Sequence, residues 1–569
     1  MPLEDADGTL PDDEDDDSGL PPEWTGDRMA DALAGALSVS DLIALPTNDW
    51  GHAVRLAHRA GRDLLYTSEI GWAVFRDGPA AGGGRWSFDG GHEAALAAAQ
   101  RVALAIASEE LPALLATKPA GKSEDVAVKR FWKRVQAYRR AANSAGNVGK
   151  CKSMLEAAAP HLRVRPQDLD ADPWRLNVAN GTLALDRRGT VTFRPSARDH
   201  RCAKQAAAAY IPDAPTAAMD AWMELVLPEP ELRHWVQKFL GYCLTGDDAE
   251  QVFTVFQGDG ANGKSTLLEA VRAALGDYAQ TTPVETLLQD ERSRAGGQAT
   301  PDLARLPGAR LVTASEPREG AVLDDGLIKR LTGGEPITVR HLNRDFFEFR
   351  PTHKTVLVCN PKPQVRAGDG GTWRRIRLVP FRQVLMRDRP VSEFLAALDV
   401  PVARSCTALA ARVARQPGVT VGDIRDTLMV PDAAAGVLAW LIEGFLAWCG
   451  EGLAPAPAAI VQETDEYKRE SDPIPLFVDE VFVRAPGAEV RAKHLRILLE
   501  IWSSESVGVP RKISDKRLSA SLKRLGIADR KSNGAIYIGL FAKTHWKEQL
   551  DRALEAAERR GGGFDFGRG

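Results

Sequence analysis

Gly258-Asp259-Gly260-Ala261-Asn262-Gly263-Lys264-Ser265 is the stretch whose reading decides the fold. It satisfies the phosphate-loop spacing in full: a glycine, four residues, then Gly-Lys-Ser. Its surroundings fit as well. Gln251–Phe256 alternates β-branched and aromatic residues as a strand does, and Thr266–Leu275 has a helical pattern closed by Gly276. In such a loop the glycines let backbone N–H groups close around phosphate oxygens, and the helix N-terminus adds partial positive charge. Lys264 is then the group that neutralises phosphate, and the Ser265 hydroxyl the expected magnesium ligand. The expected nucleotide contacts run without a break from Gly258 to Thr266, with ATP and Mg2+ as the ligands. Two near matches fail the same test. Gly121-Lys122-Ser123 has Ala116 where the first glycine belongs, and Gly149-Lys150 is followed by Cys151, which cannot hold magnesium.

Working outward, residues 251–381 alternate short apolar strands with loops and helices, the pattern of an α/β core. Ala309–Glu316 reads as a buried strand ending in one carboxylate. Beside the phosphate loop it would place Glu316 at the sheet's C-terminal edge, where ligands bind; alone, Glu316 would be an exposed strand-end glutamate. Lys354–Cys359 is a second such strand, ending in Asn360. That amide is either a cap or a group that orients water and senses the γ-phosphate. Glu316 is the candidate for metal and water, and Asn360 for the sensor. Trp373-Arg374-Arg375 precedes a third strand; the arginines are either surface charges or guanidinium groups that reach a neighbouring subunit's ATP. Between these strands, 336–349 has two alternating stretches around Asn343-Arg344-Asp345, a hairpin with a basic tip suited to a phosphate backbone.

In this order, phosphate loop, strand-end Glu316, basic hairpin, strand-end Asn360 and arginine pair resemble a superfamily 3 helicase, a branch of the AAA+ ATPases. The similarity is greatest to the phage/plasmid primase-helicase family, typified by the satellite-phage α protein and poxvirus primase-helicases. It extends over Asp172-Pro173-Trp174, Asn177–Leu183, Leu240–Gly246 and Leu331–Glu335. The resemblance implies an ATP-dependent DNA helicase of phage or plasmid replication, working in a bacterial cytoplasm as a ring-shaped homo-oligomer, a hexamer. Arg340 and His341, with Arg344, would contact single-stranded DNA in the ring channel, and forked duplex would be the substrate. Arg375, or its neighbour Arg374, would be the trans-acting finger. Ser315 stands where many such ATPases carry a second acid, so Glu316 would serve metal and water alike. Only about fifty residues precede the shared N-terminal module, so primer synthesis is expected to come from a separate primase or polymerase. The rival readings are a non-unwinding AAA+ initiator or loader, a DNA-binding regulator with a vestigial ATPase, and a primase.

The chain has 569 residues and a formal net charge of -4, but residues 1–20 hold nine acids and no base. The remainder is therefore mildly basic, at about +5. The expected organisation is a disordered acidic leader (1–27), an N-terminal α+β module (48–215), the ATPase domain (216–395, core 251–381) and a helical linker (396–460). A winged-helix DNA-binding domain (461–545) and a C-terminal helix with a Gly-rich tail (546–569) complete it. In the module, Gly71–Phe75 and Arg85–Phe88 read as a hairpin, His92–Ala158 as helices, and Trp174–Arg194 as a second hairpin. Lys129–Arg140 is basic with interleaved aromatics, either a nucleic-acid face or a helix whose aromatics are core. In the C-terminal region Arg491–Trp502 and Asp515–Leu525 read as helices before a hairpin turning at Ser532-Asn533-Gly534, with Arg511, Lys512, Lys516, Arg517, Arg530 and Lys531 as candidate DNA contacts. No apolar run is expected to reach membrane-spanning length. The six scattered cysteines show no zinc or redox spacing.

Overall fold

The computed structural model describes residues 27–78, 82–289, 300–340, 346–365, 370–472, 474–506, 514–531 and 535–559. The acidic leader up to residue 26 and the Gly-rich tail lie outside the described residues. The chain divides into two units: one of residues 1–171 with 179–182 and 194–204, the other of 172–178, 183–193 and 205–569. The division falls well before the boundary expected near 215. Residues 205–215 join the larger unit because their apolar side chains, Ala206 and Ala208, pack in its core.

In the smaller unit, Asn48 caps the helix Asp49–Ala60 by accepting from the Gly51 N–H at 3.0 Å. Strands β1 (Leu64–Thr67), β2 (Gly71–Asp77) and β3 (Gly84–Ser87) form an antiparallel sheet, adding one strand to the expected hairpin. The helices Gly91–Ala105, Val126–Ala145 and Val148–Ala158 follow. Leu56, Leu64, Val102, Val135 and Met154 make the core. A fully buried ion pair crosses it, Arg55 Nε to Glu110 Oε2 at 2.8 Å. Its cost in desolvation is offset by further bonds: Arg55 donates to the carbonyls of Pro46, Gly51 and Leu42 and to the Tyr138 hydroxyl, which in turn donates to Glu110.

Strands β4 (Arg175–Val178), β5 (Gly181–Leu185) and β6 (Val191–Arg194) form a three-stranded meander where one hairpin was expected, because both Asn180-Gly181 and the left-handed Gly189 turn the chain.

The larger unit is built on β7 (Phe253–Gln257), β8 (Ala279–Thr281), β9 (Leu311–Ser315), β12 (Lys354–Cys359) and β13 (Ile376–Pro380). They form one parallel sheet in the order β13-β7-β12-β9-β8. Counted along the chain that is 5-1-4-3-2. Its strands are apolar runs buried on both faces, as an all-parallel sheet demands. Between β9 and β12 the short strands β10 (Ile337–Val339) and β11 (Phe347–Phe349) pair antiparallel; the tip 341–345 lies outside the described residues.

Residues 396–460 are not a linker. Leu409, Ile424, Leu438, Trp440, Phe445 and Trp448 are buried in the same core as Trp222, Trp235 and Phe239. The helices Pro230–Tyr242 and Ala434–Glu451 cross so closely that a Cβ on Gly241 would stand 2.1 Å from the Phe445 nitrogen. The expectation about apolar length is also corrected. Pro431–Glu451 is long and apolar enough to cross a membrane by composition, and half of it is buried inside the fold; its apolarity is that of a core helix.

Towards the C-terminus, the helix Ile474–Val481, strand β14 (Phe482–Arg491) and helices Ala492–Ser506 and Asp515–Arg524 precede β15 (Ala528–Lys531), β16 (Ala535–Ala542) and the helix Thr544–Arg559. The sheet order is β14-β16-β15, antiparallel. Leu495, Leu498, Leu499 and Trp502 share the buried face with Leu518, Leu522 and Leu540. Strand β14 had no counterpart in the reading of the sequence.

Candidate nucleotide site at the sheet edge

Parallel pairing lines up the strand ends. Cys359 of β12 stands opposite Gln257 of β7, and Val358 opposite Ser315 of β9. The residues that follow, Gly258, Asn360 and Glu316, therefore leave one edge of the sheet on three adjacent strands, spaced by about 5 Å per strand. Asn360 and Glu316 are both exposed. Glu316 has φ +62, a left-handed conformation that a non-glycine residue adopts only when its surroundings impose it. Its N–H still donates to the Val358 carbonyl at 3.0 Å, so the chain swings off the strand with Glu316 as the pivot.

Three left-handed residues shape the loop, Gly260 (φ +104), Ala261 (φ +48) and Gly263 (φ +76). Left-handed residues in such a loop bend the backbone so that its N–H groups can face an anion. Gly258 has no room for a side chain, since a Cβ would lie 2.1 Å from the Asn262 amide and 2.5 Å from the Phe381 carbonyl. Lys264 opens the helix Lys264–Leu275. Its ammonium donates to the Gly258 carbonyl at 2.7 Å and to Asn262 Oδ1 at 2.8 Å. Burial lowers its proton affinity, while the nearby Asp259 carboxylate opposes that shift. Burial also pushes the Cys359 thiol up to about 12, so it stays neutral beside the lysine. Ser265 is exposed at the first turn, and Thr266 follows it half-buried.

The segment after β13 completes the site, and the reading of the sequence missed it. Asn262 Nδ2 donates to the Phe381 carbonyl at 3.3 Å, and the Leu385 N–H to the Ala261 carbonyl at 2.7 Å. Val384 and Met386, on either side of Leu385, are 62% and 67% exposed. No local signal marks these residues, because their partners lie more than a hundred positions away.

The arginine pair lies at the opposite edge, where β13 begins, about 16 Å from the strand ends by strand rise. Its members differ. Arg375 is buried and donates from Nε to Thr332 Oγ1 at 3.0 Å and from Nη1 to the Gly371 carbonyl at 2.7 Å. Arg374 is exposed, with Nη2 on Gln251 Oε1 at 3.2 Å. The structure does not leave Arg375 available as an exposed finger.

At the base of the hairpin, the Arg340 N–H donates to Thr300 Oγ1 at 3.3 Å and its guanidinium lies over the Phe346 ring. His341 and Arg344, like Arg511 and Lys512, lie outside the described residues, as do the side chains of Lys516, Arg517 and Lys531. Arg530 donates to both carboxylate oxygens of Glu489 at 2.8 Å. Its neighbours Lys523 and Arg524 pair with Asp529 and Asp472. Arg530, Lys523 and Arg524 are thus each paired with an acid of their own chain.

Among known proteins, residues 53–241 match the family model described as D5 N terminal like, and residues 256–375 match one described as a family of unknown function. A protein of Acanthamoeba polyphaga mimivirus named "Putative helicase L207/L206" is 27% identical over 48% of this chain and 26% of its own. "Putative helicase 022R" of Frog virus 3 is 25% identical over 51% of this chain and 28% of its own. "Putative primase C962R" of African swine fever virus (isolate Warthog/Namibia/Wart80/1980) is 26% identical over 43% and 26%. The chain thus spans about a quarter of the length of these relatives. The solved apo structure of the NrS-1 C-terminal region covers 60% of this chain and 80% of its own at 13% identity, with a TM-score of 0.29, too low to carry an argument. Residues 53–241 are thus similar to a D5-type N-terminal module, and the chain is similar over about half its length to viral proteins named as helicases and primases.

Proposed function

We propose that this chain is an ATP-driven DNA helicase of phage or plasmid replication, a superfamily 3 motor of the AAA+ type that moves on single-stranded DNA as a hexameric ring. The observation that carries this reading is the meeting of Lys264, Glu316 and Asn360 at one edge of a parallel sheet ordered 5-1-4-3-2. The loop suits a triphosphate: left-handed residues at Gly260, Ala261 and Gly263 curve its backbone, and behind it stands a lysine held, among the described residues, by a carbonyl and an amide. ATP supplies the phosphoryl group, and Mg2+ neutralises its oxygens. Lys264 exchanges its loop partners for phosphate, Ser265 and Glu316 hold the metal, Glu316 takes the proton of the attacking water, and Asn360 orients that water. The apolar pair Val384 and Met386 offers a surface for the base.

The far-edge arginines cannot reach the loop of their own chain, which favours a shared site between subunits; we assign the reaching role to Arg374. The hairpin that carries Arg340 grips the strand, and the C-terminal module, read as a winged helix, engages duplex or a partner. Strand displacement on forked DNA tests the proposal. The wild-type chain should unwind with ATP and Mg2+, and Lys264→Ala should be inert. Unwinding that survives Lys264→Ala contradicts the proposal, and ATP turnover without any displacement favours the initiator or loader reading instead.

A further inference from the structure

The helix Val126–Ala145 of the smaller unit plays no part in the nucleotide site. It carries six cations, Lys129, Arg130, Lys133, Arg134, Arg139 and Arg140, and no acid. Its buried face is complete without them: Phe131, Val135, Tyr138 and Ala141 pack into the core. At 100° per residue, Lys129, Trp132, Lys133, Gln136, Arg140 and Asn143 fall on the opposite stripe, with Arg130 and Arg139 along its borders. All eight are exposed. Trp132 stands 38% exposed at one edge of the stripe, beside Arg139, with the Lys118 ammonium 5.6 Å from its ring centre.

A merely solvated helix face usually mixes both signs of charge and spares a tryptophan. Along the sequence, the acids that come just before the helix, Glu124 and Asp125, precede its first turn, and Asp125 accepts from the Lys122 N–H. Lys129 to Arg140 spans about 16 Å along the axis, long enough for several backbone phosphates. Cations flanking an exposed aromatic ring are the means by which proteins hold unpaired bases: charge follows the backbone, and the ring stacks on a base. Stacking requires an unpaired base, so the occupant that fits is a single strand and not a duplex.

We propose that this face is a second docking surface for single-stranded DNA, separate from the ATPase hairpin and independent of nucleotide. It is tested in the full chain, without ATP, by the anisotropy of labelled oligothymidylate across a salt series. The chain with Lys129→Gln, Arg130→Gln, Arg139→Gln and Arg140→Gln should bind at least about tenfold more weakly at low salt, with a log–log salt slope flatter by about 3. Trp132→Ala should weaken binding without changing the slope, and Trp132→Phe should restore most of it. Unchanged affinity and slope in both variants overturns the proposal. So does equal weakening of single-strand and blunt-duplex binding with no effect of Trp132→Ala, which would make the face a general polyanion surface. Far-ultraviolet circular dichroism and an unchanged thermal midpoint report that the variants are folded. Because the binding is read without nucleotide, its failure is distinct from failure of the ATPase reading.

Discussion

Glu316 is a non-glycine residue in a left-handed conformation at the end of a buried strand, and its neighbours in the site are equally specific. Glu316→Gln should leave nucleotide binding intact and lower turnover by about 10²–10⁴-fold, which filter binding and single-turnover hydrolysis together would show. The two adjacent arginines separate by environment. Arg374→Ala, on the surface, should keep the thermal midpoint and lose on the order of 10³ in DNA-stimulated turnover. Arg375→Ala should lower the midpoint instead, since it strips donors from Thr332 and Gly371 in a buried setting, at a cost of about 1–3 kcal/mol. Melting curves beside turnover rates distinguish the two. At this scale the loop was legible in the sequence because its chemistry is local: spacing, glycines and the following helix all lie within twenty residues. The arginine pair was legible only as a pair, because what separates its members is Thr332, some forty residues upstream.

The elements show the same division. Strands β7, β9 and β12 were readable as apolar runs bounded by loops, and their end residues could be named from the parallel arrangement alone. The helices of 396–460 were readable as helices but not as core, since amphipathic periodicity does not say which surface a helix meets. One contact shows what holds them. Glu224, buried on the helix Ala217–Val226, accepts from the N–H groups of Ala408 and Leu409 at 3.1 and 2.8 Å, which satisfies the first turn of the helix Thr407–Arg415. The same helix carries Trp222 and Val226, the side chains a Cβ on Gly263 would strike at 2.8 and 2.4 Å. Glu224→Ala should therefore cost about 1–3 kcal/mol in denaturant unfolding and also weaken nucleotide binding measured by fluorescence titration. A loss of stability with unchanged nucleotide affinity would separate that packing from the phosphate loop.

At the scale of the molecule, two buried histidines tie stability to pH. Burial, reinforced by Lys354, pushes His353 in the larger unit down to about 3, and neither ring nitrogen has a hydrogen-bond partner among the described residues. Burial, then Arg55, pushes His52 in the smaller unit down to about 4. A base with a depressed folded pKa contributes full stability above its unfolded value near 6.5 and loses it as pH falls towards the folded value. At pH 5 each histidine should therefore have forfeited about 2 kcal/mol. Melting between pH 7 and 5 should show the loss, and His353→Leu should flatten it for the larger unit alone. The two-unit division was only partly legible, because the chain passes between the units three times within 172–204, a region whose turns are local but whose partners are not. The account rests most directly on one rate, ATP turnover by the full chain with Mg2+ and single-stranded DNA. It predicts DNA-stimulated hydrolysis that Lys264→Ala reduces to background; turnover equal in the two proteins, or none in either, would contradict it.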